Sequence, residues 1–357
     1  AFFLEAVFLG IMLFGFSRVP NWVHTTATLL VAGGTTLSAF WIIVLNSWMQ
    51  TPVGYEIRDG VVHATDWWAI IFNPSMPYRL IHMLIASALT VAFLIAGMSA
   101  WRWLKDGGGE GVRRTLKAAV YAAALLIPVQ IFVGDMHGLN TLEHQPQKVA
   151  AMEANWETRG NVPLVLFAIP DEDARTNHLE VAIPSGASLI LKHEAAGVVP
   201  GLNDYQGNHP PVAPLFWGFR IMVGIGVAML ALAWFAAWTI RRRGVDAMPR
   251  WMAYGLVAMT FSGWIATLAG WYVTEIGRQP WLVTGVLKTA DAVGPVGSAM
   301  VASSLTLYLI VYAVLLTAYI AVLYRLARLG KAGSNDKPMF PVPTIAPGPA
   351  APQEEPA

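Results

Sequence analysis

Several apolar runs, each longer than about 18 residues, dominate this chain, and that is the length a helix needs to cross a bilayer. One large soluble core is excluded by charge. Asp, Glu, Lys and Arg make up 13% of the sequence, roughly half the share found in a soluble domain. The chain is therefore expected to be an all-α, polytopic transmembrane helix bundle. Seven spans are expected: Ala1 to Phe16, Val23 to Leu45, Pro77 to Trp103, Leu116 to Val133, Leu215 to Ile240, Trp251 to Val273 and Ser298 to Leu323.

The absence of cysteine excludes disulfides, thiolate ligands and cysteine nucleophiles. A formal charge of +1 leaves no electrostatic footprint for nucleic acid, but the placement of the charges sets an orientation. Arg18, then Arg102, Lys105, Arg113, Arg114 and Lys117, then Arg241, Arg242, Arg243 and Arg250, and finally Arg325, Arg328 and Lys331 occupy alternate connections. The positive-inside rule makes that side cytoplasmic. Residues 1–133 then carry four spans, 134–212 a long external loop and 213–330 three spans, while 331–357 form a Pro- and Ala-rich cytoplasmic tail expected to be disordered. The chain opens at Ala1 inside an apolar segment without the features of a signal peptide. It is expected to be a fragment or processed chain whose preceding helices are missing.

Polar groups inside such spans are costly unless paired or coordinating. Glu275 and Arg278 stand three residues apart at the end of the sixth span, just before the helix-stopping Pro280. Glu5 lies in the middle of the first. His82 lies roughly 8 Å beyond Pro77, and Met222 roughly 12 Å beyond Pro214, counting about 1.5 Å per residue. An imidazole and a thioether at similar depth fit an axial pair for low-spin haem, although Met222 alone fits core packing as well. Arg220 fits either a haem propionate or a snorkelling role. Ser38 and Asn46 extend a polar path or bond neighbouring helices. In the external stretch, Lys148 and Glu153 fit binding and deprotonation of a polar head group, and equally a charged surface helix.

Ala1-Phe2-Phe3-Leu4-Glu5, Asn46-Ser47-Trp48-Met49-Gln50-Thr51-Pro52-Val53-Gly54, Phe219-Arg220-Ile221-Met222-Val223, Gly277-Arg278-Gln279-Pro280-Trp281 and the stretch from Lys148 to Glu157 together resemble subunit I of the cytochrome bd-type ubiquinol oxidases. The similarity is to the cyanide-insensitive branch with a short quinol loop, and it extends from Ala1 to about Gly330. It implies that His82 and Met222 ligate low-spin haem b with Arg220 beside it. Glu275 would be a carboxylate ligand at a high-spin pair, haem b with haem d or a second protohaem, and Trp271 an aromatic next to it. Lys148 and Glu153 would bind quinol, and Glu5, Ser38 and Asn46 would line a proton path, with Glu275 and Glu5 as the catalytic carboxylates. The family has helices ahead of Ala1 that carry a haem-ligating histidine and a second carboxylate, both absent from this sequence.

The function so implied is a terminal respiratory oxidase in the bacterial plasma (inner) membrane. It oxidises quinol at the periplasmic face, passes electrons through haem b to the high-spin haems, and reduces O2 to water, making a membrane potential without pumping. The implied partners are quinol, O2, the membrane, subunit II and a small accessory subunit. A haem-free secondary transporter using Glu5 and Glu275 stands as the alternative, but it predicts an internal repeat that the sequence does not show. A haem-b electron-transfer subunit without oxygen reduction would need His82 and Met222 but neither Glu5 nor the Arg278 motif.

Overall fold

Hydrophobic run length decides the architecture, and the computed structural model, which describes residues 2–15 and 18–329, is accordingly built of long helices. In order come α1 (Phe2–Phe14), α2 (Asn21–Gln50), a hairpin of β1 (Tyr55–Arg58) and β2 (Val61–Ala64), α3 (Trp67–Ile71), α4 (Met76–Asp106), α5 (Glu110–His144) and α6 (Pro146–Glu153). A second hairpin, β3 (Leu164–Asp171) with β4 (Thr176–Ile183), leads to α7 (Gly186–Lys192), α8 (Val212–Arg243), α9 (Arg250–Ala258) and α10 (Ser262–Ile276). A third, β5 (Trp281–Val283) with β6 (Leu287–Lys288), precedes α11 (Ser298–Leu329). The tail expected from residue 331 lies outside the described residues.

Among the described residues, five helical stretches are long and apolar enough to cross a membrane, and a sixth is the pair α9 and α10, bent by 41°. Helix α1, with 13 residues, reaches about 20 Å at 1.5 Å per residue and is a shorter apolar helix. These elements correspond to the seven expected segments, with the sixth broken around Thr260. The three antiparallel hairpins, all outside the spans, are additions to the expected all-helical fold. The fourth span was expected to end near Val133, but α5 continues to His144. Gly134, Asp135 and Gly138 lower the hydropathy there without interrupting the backbone hydrogen bonding of the helix.

The chain divides into two compact units. One holds the described residues up to 39 and from 299 to 329; there His24 hydrogen-bonds the Met12 carbonyl at 3.0 Å, joining α2 to α1. The other, residues 40–298, contains the core. In it α4 and α8 each pack against α5 and α10, with no comparable packing between themselves. Ala96, Ala100, Leu116, Val120, Ala236, Ile240, Met252 and Leu256 form one buried cluster, and Leu89, Phe93, Ala123, Ile127, Met229 and Ala233 another. Small residues set the closest approaches, as membrane helices require. A Cβ on Gly263 would lie 2.6 Å from Thr90 Cα, and one on Gly97 would lie 2.7 Å from the Leu256 carbonyl oxygen. Local signals set the helix ends: Asp66 accepts from the Trp68 and Ala69 N–H groups at 2.9 and 3.1 Å to cap α3, and Gly107 ends α4 at φ 72°.

Between α5 and α8 the chain folds back onto the bundle. Ala150, Ala151 and Met152 of α6 are buried with Val165 and Ala168 of β3, against Leu215 and Phe216 of α8 and Val273 of α10. Gly97→Ala is expected to lower stability by about 1–3 kcal/mol through overpacking, read as a lower Tm in detergent. Gly111→Ala on α5, where an added Cβ meets nothing within 4 Å, is the control and should not lower it. Equal Tm values for the two variants would show that the α4–α9 contact relaxes freely.

Candidate functional site

Glu275 lies in the last turn of α10. Its Oε1 accepts from Asn46 Nδ2 at 2.8 Å, and its Oε2 accepts from Arg278 Nη2 at 2.6 Å. Asn46 is itself held from behind, since its side-chain oxygen accepts from Arg79 Nη2, while Arg79 Nη1 donates to Ser47 Oγ at 3.4 Å. Three helix ends thus converge on one carboxylate through a continuous chain of charge-assisted bonds. Arg278 follows directly on the C-terminus of α10, where a cation is favoured by the helix dipole. Its side chain is 9% exposed against 37% for Glu275, so the carboxylate is the more open partner. Trp271, one turn back on α10, is half-buried.

Lys148 enters the same region from α6. Its Nζ donates to the Thr274 carbonyl at 3.2 Å, to Gln50 Oε1 at 3.2 Å and to Gln145 Oε1 at 3.5 Å. Gln145 also donates to the Gln50 carbonyl and side-chain oxygens, both at 3.0 Å. Burial pushes the Lys148 ammonium down from 10.5 to about 7; the Arg79 and Arg278 guanidiniums push the same way, against the pull of Glu275.

Glu153, at the other end of α6, pairs instead with α8. Arg220 Nη2 donates to Glu153 Oε2 at 2.7 Å, with side chains 12% and 7% exposed. Arg220 Nε donates to the Val165 carbonyl at 2.9 Å, Nη1 donates to the Met152 carbonyl, and the guanidinium lies 4.2 Å from the centre of the Phe216 ring. Lys148 and Glu153 are therefore tied to different helices. The donors of Arg220, which the sequence left open for a propionate or for snorkelling, are engaged by the loop.

His82 sits two turns into α4 with its ring against α5. Gln130 Nε2 lies 3.2 Å from His82 Nε2, and His82 Nδ1 is buried without a partner among the described residues. Met222, ten residues into α8, has its sulfur against Gly270, where a Cβ would lie 2.9 Å from Sδ. A buried, orphaned imidazole nitrogen is costly and a metal ion satisfies it. The Met222 thioether is a soft donor, seated against the backbone of Gly270. These features fit a haem held by His82 and Met222. In the other unit, Ser38 Oγ donates to Glu5 Oε1 at 2.6 Å, so the mid-span carboxylate has its partner there.

Sequence reasoning missed Arg79, Gln50, Gln145 and His137. Arg79 is a cation within an apolar helix, one turn before His82, and that alone marks it. The greater length of α5 adds His137, whose ring lies 5.7 Å from that of His82.

Taken together, the fold and site define an integral-membrane helix bundle that concentrates hydrogen-bonded charge and metal-ligand donors at its helix ends. Residues 1–331 match the family of cytochrome bd terminal oxidase subunit I, to which the chain belongs. It is 35% identical over 306 residues to cytochrome bd ubiquinol oxidase subunit 1 of Bacillus subtilis, covering 83% of this chain and 65% of that one. It is 29% identical to cytochrome bd-II ubiquinol oxidase subunit 1 of Escherichia coli, covering 94% and 79%. The solved bd oxidase of Geobacillus thermodenitrificans superposes with a TM-score of 0.82 at 36% identity, over 92% of this chain and 76% of that one. The chain thus spans somewhat under two thirds of the length of the Bacillus relative. This family membership sets the transporter alternative aside.

Glu153→Ala leaves the Arg220 guanidinium buried with carbonyl acceptors only, and should cost about 3 kcal/mol, the order seen when one partner of a buried pair is removed. Glu153→Gln keeps an acceptor and should lose less. Thermal unfolding in detergent measures both; wild-type stability in Glu153→Ala would show that the carbonyls suffice.

Proposed function

We propose that this chain supplies the quinol-oxidising and haem-holding parts of a quinol:oxygen oxidoreductase, a terminal respiratory oxidase of the bacterial inner membrane. The observation that carries this reading is the junction of α2, α4, α6 and α10, where Glu275, Arg278, Asn46 and Arg79 are linked by hydrogen bonds and Lys148 donates to the carbonyl of Thr274, next to Glu275. Haem, when bound, supplies one-electron transfer and the reduction of O2 to water. His82 and Met222 would hold a low-spin haem b, and Glu275 would serve a high-spin pair made of haem b with haem d or a second protohaem, with Trp271 as its aromatic neighbour.

Lys148 and Glu153 orient the quinol head group. With its pKa near 7, the Lys148 amine takes a proton from a quinol hydroxyl as easily as it returns one to solvent. Residues 145–212, which follow α5, form the periplasmic quinol loop, so quinol protons leave on that face. Glu5, Ser38 and Asn46 bring protons for water formation from the cytoplasm. This separation builds a membrane potential without pumping. Subunit II and a small accessory subunit complete the assembly. The cationic connections face the cytoplasm.

In the assembled oxidase, reduction by quinol should give a low-spin b spectrum and a separate high-spin component that responds to carbon monoxide. His82→Ala should remove only the first. A low-spin band without a carbon monoxide response would instead identify an electron-transfer subunit, and no haem band at all would end the proposal.

The low pKa of Lys148 leaves its amine mostly protonated below about pH 7 and mostly neutral above it. Quinol kcat/KM should therefore rise with pH through about 7. Lys148→Arg, whose guanidinium stays charged, should lose this limb, so an unchanged profile in that variant would remove Lys148 from the proton transfer.

A further inference from the structure

Three residues of α5 form a stripe against the His82 ring. Gln130, Gly134 and His137 are spaced by four and three, which places them on one helix face. The Gln130 amide meets Nε2 at 3.2 Å. Gly134 brings the helix backbone up to the ring, since a Cβ there would lie 3.1 Å from His82 Cε1 and 3.6 Å from Nδ1. His137 stands edge-on to the ring, with centroids 5.7 Å apart and planes inclined at 61°. The His137 imidazole makes no hydrogen bond among the described residues, so its contact with His82 is not a by-product of some other anchoring.

The ring is therefore limited in rotation by an amide on one edge, by backbone beneath, and by a second imidazole. We propose that His137 is a positioning residue, which together with Gly134 fixes the plane of the His82 imidazole. This rests on the assignment of His82 as a haem ligand. The plane of an axial imidazole governs its overlap with the iron orbitals, and groups that orient a ligand tune the metal without touching it. His137 would thus act on the low-spin haem through His82.

The test is made on the assembled, haem-loaded oxidase, comparing wild type with His137→Ala, His137→Phe, Gly134→Ala and His82→Ala. The readouts are the low-spin electron paramagnetic resonance g values, the midpoint potential of the low-spin haem, and haem content. His137→Ala and Gly134→Ala are expected to shift the g values and the potential at full haem content. His137→Phe keeps a ring edge in place and should return both towards wild type. Unchanged g values and potential in His137→Ala and Gly134→Ala overturn the inference. If His137→Ala fails to assemble, His137→Leu takes its place and is judged by the same shift. A low-spin signal that survives His82→Ala overturns the ligand assignment itself, and this inference with it.

Discussion

The bond between Asn46 and Glu275 is the contact on which the arrangement of the candidate site depends. It joins the end of α2 to the end of α10, and the same asparagine accepts from Arg79 at the start of α4. Glu275 receives a second donor from Arg278. A carboxylate at a helix C-terminus is opposed by the helix dipole, so it stays in place only when cations and amide donors outweigh that effect. Here they come from three separate helices. Removing any one donor exposes the others to unpaired burial, which makes the network a single unit rather than a sum of pairs.

The second constraint is the way the chain after α5 is fastened down. Helix α6 has eight residues, too few to be stable alone, so it must be held at its ends. Lys148 binds the Thr274 carbonyl of α10 near one end, and Glu153 binds Arg220 of α8 at the other. Between them Ala150 and Ala151 are fully buried, with side chains small enough to bring the α6 backbone close to the bundle. The charged anchors and the apolar face act together: the anchors set position, and burial supplies the favourable free energy. Arg220 precedes Met222 by two residues on α8, so fastening α6 also fixes the register of the segment that carries the thioether.

Run length and charge made the spans legible, and the rarity of ionisable groups in apolar sequence singled out Glu5, His82, Glu275 and Arg278. The partners of those groups were not legible. Asn46 and Glu275 are 229 residues apart, Lys148 and Thr274 126, and Arg220 and Glu153 67. No local pattern reports such pairings. Arg79 was passed over because it stands near a helix start, beside Pro77, where a cation is ordinarily solvated. His137 was passed over because hydropathy falls after Val133, whereas backbone hydrogen bonding, which has no such threshold, carries α5 on to His144. The hairpins escaped notice for a related reason, being short segments between spans with little periodicity to mark them.

The balance of charge at this end of the bundle gives Lys148 its character. Arg79, Lys148 and Arg278 all act electrostatically on one another and on a single carboxylate, Glu275. Three cations against one anion would leave a surplus in a region that water reaches poorly, and an uncompensated buried charge is expensive. Guanidiniums do not deprotonate, so the ammonium is the group that yields: its burial, with the two arginines adding to the effect, lowers its pKa to about 7. The amide oxygens of Gln50 and Gln145 and the Thr274 carbonyl solvate the cation when it forms, without adding negative charge. Burial first, and the two arginines after it, thus make the lysine an acid of near-neutral strength, while the neutral acceptors add no charge to reverse this. Replacing either glutamine by a glutamate would raise the pKa and fix the proton, leaving a structural ion pair where the native arrangement leaves a group able to exchange it.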